Sequence, residues 1–353
     1  MKKKLLLGAF LFGSLLTVKA QTSSYDFSDL TVGQVATDVT GATAGQGGWY
    51  VLGQNGTTTT TTNMNADTFQ VVDNGGANGN VIQVTGPNGS AGGAFMWQAG
   101  TDTFWANRTA GNDVFEVEYD YYTGTASTSL NRIGVYIYEE TYNAVLGGIV
   151  VSTNNLEVLG VAYSQPQGAT SPANYTYSLG TEEEPNVMLP ENTWVTLKIS
   201  YNYNTGLVLW SVDGYIEEGT AGAYTVTETV PFEVDLTTTS GSTETTTNAA
   251  AGTGLIDNLS VTAVAEVLGA DEFLASQFSV YPNPVSDVIN IANAENILVN
   301  GVEIVDLNGR VVKSAKFNGV SEAQVNISDL SAGMYLMNVS SDKGTTTKKI
   351  VKN

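Results

Sequence analysis

Three carboxylates sit at alternate positions, Glu116, Glu118 and Asp120, in the stretch VFEVEYDYY from 114 to 122. In an extended strand, residues two apart share one face, so the three would form a carboxylate row. Hydrolysis of a glycosidic bond needs two carboxyl groups flanking it, about 5–5.5 Å apart when configuration is retained. Neighbours two apart on a strand approach that spacing, although a solvated strand face gives the same pattern with no chemistry. The chain holds no histidine and no cysteine. That removes Ser-His-Asp triads, the usual zinc sites, histidine general bases, thiolate chemistry and disulfides. Any catalysis must run on carboxylates, tyrosine, lysine, arginine or an oxygen-ligated metal.

Binding asks for a different set of residues. Sugar rings present apolar C–H faces, which stack on aromatic rings. Trp97, Trp105, Tyr122, Tyr136 and Tyr138 are the candidate platform, with Arg132 and Asn107 as hydrogen-bonding groups. Core packing competes for the same residue types, and Trp49, Trp194 and Trp210 are expected there. From Gln21 to Ala265 the chain carries 25 Asp and Glu against three basic residues, Arg108, Arg132 and Lys198. Such a field repels nucleic acid and anionic lipid. It permits cation binding, and serves solubility equally well.

The elements that must position these residues are strands. Gly, Thr, Asn and Ser punctuate short apolar alternations, and helical periodicity is nearly absent. Strands are expected at 25–27, 69–73, 80–84, 94–98, 114–122, 133–139, 144–152 and 156–162. The threonine tract 57–62 reads as an exposed loop or edge, and 164–190 as a loop over the sheet. Residues 192–201 alternate, with Trp194, Thr196 and Lys198 on one face and Val195, Leu197 and Ile199 on the other. A turn and the return strand 207–212 follow, ending in Asp213-Gly214, and 255–261 (LIDNLSV) reads as a closing strand. The W-x-x-[LV]-x-[IV]-x-Y, turn, V-x-[LW]-x-V-D-G arrangement resembles the laminin-G-like and concanavalin-A-like jelly-roll superfamily. That resemblance implies one large antiparallel sandwich over 21–265. It also implies a structural calcium where the first and last strands meet, for which Asp26, Asn80 and Asp257 are the side chains at hand. A turn-capping Asp257 is the competing reading. The 116–120 carboxylates resemble the E-x-D-x-x-E strand of family 16 glycoside hydrolases, but the middle acid is Glu and the final Glu is missing.

Both ends of the chain read as addresses. Residues 1–20 have a Lys2-Lys3-Lys4 start, an apolar stretch from Leu5 to Leu16 and a small-residue site at Val18-Lys19-Ala20, the pattern of a signal peptide. No later run is apolar enough to span a membrane as a helix. Residues 266–277 read as a linker without strand alternation, open to proteases. From 278 to 353, β-branched residues alternate with polar ones and predict a small β-sandwich of immunoglobulin-like build. Four motifs stand in order: Tyr281-Pro282-Asn283-Pro284; Asp306, Asn308, Gly309 and Arg310; Leu330, Gly333 and Tyr335; and a basic end with Lys348 and Lys349. They resemble the C-terminal sorting domain of the type IX secretion system of Bacteroidetes. The resemblance implies that the tail engages the secretion machinery, guides the chain across the outer membrane and is usually cut off there. The expectation is an all-β exported protein whose body binds a glycan or glycoprotein without catalysis. The alternatives are a carboxylate-dependent polysaccharide-degrading enzyme and a structural adhesion protein.

Overall fold

A computed structural model describes residues 21–353 except 56–57, 60–64, 76–78, 167, 181–184, 244, 267–269, 294–296 and 308. The signal-peptide reading at 1–20, most of the threonine tract and Asn308 lie outside the described residues; within the tract, Thr58–Thr59 pairs with Gln54 and Asn55 at a sheet edge.

The body is a jelly-roll sandwich of two antiparallel sheets, each of nine strands among the described residues. The first sheet runs Ile216–Tyr224, Leu207–Val212, Trp194–Asn202, Val114–Tyr122, Thr253–Val264, Asn80–Thr85, Phe69–Asp73, Gly33–Gln34, with Gln21–Tyr25 also on Thr253–Val264. The second runs Ala173–Ser178, Glu157–Ser164, Val145–Ser152, Arg132–Tyr138, Glu233–Thr239, Gly93–Trp97, Tyr50–Asn55, Thr58–Thr59, with Val187–Met188 on Glu157–Ser164. Alternation decides what each face carries. Phe115, Val117, Tyr119 and Tyr121 point into the core from Val114–Tyr122, and Ile133, Val135 and Ile137 meet them from Arg132–Tyr138. Two inward glycines make room for large partners. A side chain at Gly147 would strike Ile199 and Val208, and one at Gly160 would strike the Trp210 ring. The Tyr119 hydroxyl, fully buried, donates across the sandwich to the Ile149 carbonyl at 2.9 Å.

Three expectations change. The segment 164–190 is not a plain loop, since it supplies the edge strands Ala173–Ser178 and Val187–Met188. Trp194 is no core anchor: it points to the outer face of the first sheet and packs on Tyr122 at 5.4 Å between ring centroids. The 266–277 linker contains a helix, Ala270–Ser276, rather than only open chain.

The C-terminal sandwich has its own core. Three strands, Phe278–Tyr281, Val288–Asn293 and Glu322–Asn326, face four, Val311–Val320, Val299–Val305, Gly333–Ser341 and Gly344–Lys352. Ile289, Ile291, Val302, Ile304, Val325, Met337 and Val339 close between them.

Candidate functional site

The outer face of the second sheet gathers three of the predicted platform residues, Trp97, Tyr136 and Tyr138, together with Arg132. Trp97 pairs with Asp235, and Asp235 with Tyr136, across three adjacent strands. Tyr138 pairs with Glu233, and Arg132 with Thr239, on the same face. The Tyr136 ring has space because its cross-strand neighbour is Gly148, where a side chain would collide with it. Tyr50 stacks on Trp97 at 5.5 Å and 18° between planes.

Trp97, Tyr138 and Phe95 line a pocket of about 310 Å³ together with Thr40, Gly41, Leu52, Gln54, Tyr142, Glu233 and Asp235. Gly41 lies at the tip of the Trp97 ring in a left-handed conformation (φ 75°), and a side chain there would clash with the indole. Tyr142 stands over the pocket from the hairpin between Arg132–Tyr138 and Val145–Ser152. Its ring meets Tyr138 and Phe232 edge-on, each at 5.9 Å, and its hydroxyl donates to Glu233 Oε2 at 3.4 Å. The Tyr142 backbone is left-handed (φ 59°), an uncommon state for an aromatic residue. The Glu139 carboxylate holds that hairpin in shape, accepting the backbone N–H groups of Thr141, Asn143 and Ala144 at 2.7, 2.8 and 3.1 Å. Burial alone would raise the Glu139 pKa, but these hydrogen bonds outweigh it and hold the group below its ordinary value.

Glu233 and Asp235 are the residues that sequence reasoning missed. Both are buried, at 8% and 3% exposed, and they lie in direct hydrogen-bonding contact on one strand face. Burial pushes both upward. Asp235 goes well above the usual carboxylate range, with the Glu233 charge and hydrogen bond adding to the effect. Glu233 rises to about 7, with hydrogen bonds from Asp235 and Tyr142 opposing the burial. The two carboxyls titrate as one coupled pair, held above the ordinary carboxylate range by burial. Asp235 Oδ1 is buried with no hydrogen-bond partner among the described residues.

Arg132 lines a second hollow on this face, of about 380 Å³, with Ser152, Asn155, Glu157 and Thr176.

Two predicted platform residues lie elsewhere. Trp105, in the short helix Thr101–Ala106, is 2% exposed, packed on Phe115 and Tyr203, with the Arg108 guanidinium 3.9 Å from its ring centroid. Tyr122 is on the outer face of the first sheet. Asn107 is spent on its own helix, donating to the Thr103 carbonyl. The row Glu116, Glu118 and Asp120 does share one face, but on that first sheet and largely engaged. Lys198 Nζ lies 3.1 Å from Glu116 and 2.7 Å from Glu218. Asp120 accepts from Thr196 Oγ1 at 2.6 Å and Asn258 Nδ2 at 2.8 Å.

The proposed calcium set converges only in part. Gln21–Tyr25 and Asn80–Thr85 both pair with Thr253–Val264, on either side of Asp257. Yet Asn80 donates its amide to the Leu30 carbonyl, Asp26 accepts the Ser28 N–H, and buried Asp257 accepts the Asn258 N–H.

In the C-terminal sandwich, the motif residues hold one another. Asn283 donates to the Lys349 carbonyl at 3.0 Å and accepts the Val351 N–H at 2.9 Å, tying the YPNP segment to the basic last strand. Asp306 accepts both the Arg310 backbone N–H and its side chain, closing the turn that contains Gly309 (φ 80°). Tyr335 donates to the Ser331 carbonyl beside Gly333. A family profile described as "Secretion system C-terminal sorting domain" matches residues 279–353. This tail is a type IX sorting domain. The sorting domain marks the chain for export to the cell surface or into the medium and implies contact with the secretion machinery. Among the described residues, no helix is long and apolar enough to cross a membrane.

No curated protein matched the chain by sequence. Among solved structures, it is similar to an alginate lyase Aly36B bound to alginate tetrasaccharide (12% identity, TM-score 0.40, covering 68% of this chain and 96% of that one). It is also similar to alginate lyase vAL-1 from Chlorella virus (11%, 0.40, 66% and 99%). The binding domain of botulinum neurotoxin serotype D/C gives 12%, 0.36, 91% and 73%.

Proposed function

We propose that the exported body is a glycan-binding module whose binding face is the outer surface of the second sheet. The observation that carries this reading is the aromatic wall, Trp97 backed by Tyr50, with Phe95, Tyr138 and Tyr142 around one pocket. Rings of this kind offer flat apolar area with polar edges, which suits a sugar's C–H face and its hydroxyls. Binding is favoured over hydrolysis on geometry. The two pocket carboxyls are buried neighbours on one strand face, whereas a glycosidase holds its pair on either side of the bond it breaks. The test is a glycan array probed with the purified chain and with Trp97→Ala. We expect the native chain to bind a subset of glycans and the variant to lose at least about tenfold in affinity, or about 1.4 kcal/mol. Binding to no glycan, or equal binding by the variant, overturns the reading.

A further inference from the structure

We propose that the pocket recognises an amino sugar, seating the ammonium group of a hexosamine unit against Asp235 and Glu233 while the aromatic walls hold its ring. This deepens the glycan-binding reading and rests on it.

The argument begins with a missing partner. Buried carboxyls in folded chains are paired or hydrogen-bonded. Asp235 is 3% exposed, and its Oδ1 has no partner among the described residues. The body owns three basic side chains, and none serves it. Arg108 is bound to Asp113 at 2.7 Å. Lys198 lies on the opposite sheet with Glu116 and Glu218. Arg132 pairs with Thr239, four residues beyond Asp235 on its strand, or about 13 Å away at strand rise. Once Glu233 ionises, above about pH 7, the pocket thus offers negative charge and unused acceptor capacity, and the body supplies no cation to meet them.

The walls narrow the chemistry of what would. A calcium ion takes six to eight oxygens, whereas this pocket is bounded mainly by Leu52, Phe95, Trp97, Tyr138 and Tyr142. Aromatic faces attract ammonium groups, most strongly when water is excluded. A carboxyl pair at the floor with rings at the sides therefore fits an organic cation. The net charge of −21 draws such a ligand in. N-acetylation of the sugar amine removes the charge and blocks the carboxyl contact. Selectivity should therefore run from glucosamine to N-acetylglucosamine oligomers, opposite to what a flat apolar platform alone would give.

Calorimetric titration of the full chain with a glucosamine tetramer and its fully N-acetylated counterpart tests this, at about pH 7.5, where Glu233, raised to about 7, is ionised and an amine near the α-amino range is still partly protonated. We expect the free-amine oligomer to bind at least about tenfold more tightly, and lysine amide, a cation without a pyranose face, to compete poorly. Glu233→Gln with Asp235→Asn imitates the protonated pair and preserves the fold, so it should erase the preference while keeping residual binding of the N-acetylated oligomer. Tyr142→Phe should keep the preference, whereas Tyr142→Ala should weaken it. Equal affinity for both oligomers, a preference that survives the double substitution, or lysine amide competing as well as the tetramer overturns the amino-sugar proposal and leaves the glycan-binding face standing. Binding of neither oligomer overturns the proposal, and with an empty glycan array it overturns both readings.

Discussion

Glu139 makes no contact with the pocket volume, yet the position of Tyr142 depends on it. Its carboxylate gathers three backbone N–H groups and the Thr141 hydroxyl, which at 2.7 Å completes the set. Glu139→Ala leaves those donors to water and frees a hairpin that already carries a left-handed tyrosine. The expected loss is about 1–2 kcal/mol in a denaturant titration, with weaker ligand binding than in Tyr142→Phe; an unchanged midpoint would refute the role. The Glu233–Asp235 pair predicts a pH signature. Glu233 is raised to about 7 in the fold, above its ordinary value, so the folded state holds the proton more tightly. The sign follows: the stabilising contribution is complete below about pH 4.5 and is lost as pH rises through about 7. The groups facing the pair are Tyr136, Tyr138 and Tyr142, all pushed upward by burial and therefore neutral in this window. The chain has no histidine to titrate there. Melting temperature should fall between about pH 5 and 8 in the native chain, fall less steeply in Glu233→Gln, where burial still holds Asp235 high, and flatten in the variant that combines Glu233→Gln with Asp235→Asn. Part of this site was legible from residue types. Alternation puts Tyr136, Tyr138 and Arg132 on one strand face, and Trp97 joins them through sheet pairing. Trp105 was misread because a six-residue helix, Thr101–Ala106, turns it inward, and helix that short leaves almost no periodic trace in sequence.

At the scale of elements, long alternating strands could be read directly, and short polar ones could not. Val114–Tyr122 and Trp194–Asn202 each show four or more apolar inward positions. Glu233–Thr239 offers only Val234 and Leu236 before its threonines, so it resembles the polar loops around it. The signal that could have found it is the E-V-D-L alternation, the same acid-out, apolar-in pattern as Val114–Tyr122. The loops at one end of the sandwich are joined by two buried asparagines that periodicity cannot reveal. Asn131 accepts the Gly252 N–H at 2.6 Å and donates to the Pro87 carbonyl at 3.0 Å. Asn248 accepts the Leu130 N–H and donates to Pro87 and Gly89. Gly86 is pressed on Asn131, where any side chain would overlap the amide. Asn131→Ala strands the buried Gly252 N–H and leaves the Pro87 carbonyl to Asn248 alone, and should destabilise the body by about 1–3 kcal/mol, read as a lower denaturation midpoint. Asn131→Asp, which keeps the acceptor, should lose less. Equal losses would mean that the amide donor carries the whole effect.

At the scale of the whole molecule, the segment between body and sorting domain is a two-sided clasp. Phe273, 4% exposed, packs on Leu207, Leu209 and Tyr224 of the body. The next residue, Leu274, is buried in the core of the sorting domain. Lys343 of the sorting domain reaches back, donating to the Thr205 carbonyl at 3.2 Å with its ammonium 5.0 Å from the Tyr224 ring centroid. The sequence hid this because a seven-residue helix with adjacent Phe and Leu facing opposite partners has no single apolar stripe. A protease that cuts within this segment must meet the helix opened, so cleavage should follow the open population rather than the bare presence of a susceptible bond. Burying a phenylalanine contributes about 2–3 kcal/mol, which converts to an open population roughly 30- to 150-fold larger when the contact is lost. Phe273→Asp should therefore speed cutting within 270–276 by a non-specific protease by at least about tenfold, while the core of each sandwich keeps its own unfolding transition. Lys343→Ala, which removes only the hydrogen bond and ring contact, should speed it less. Cutting at the native rate in Phe273→Asp would show that the helix opens independently of the body.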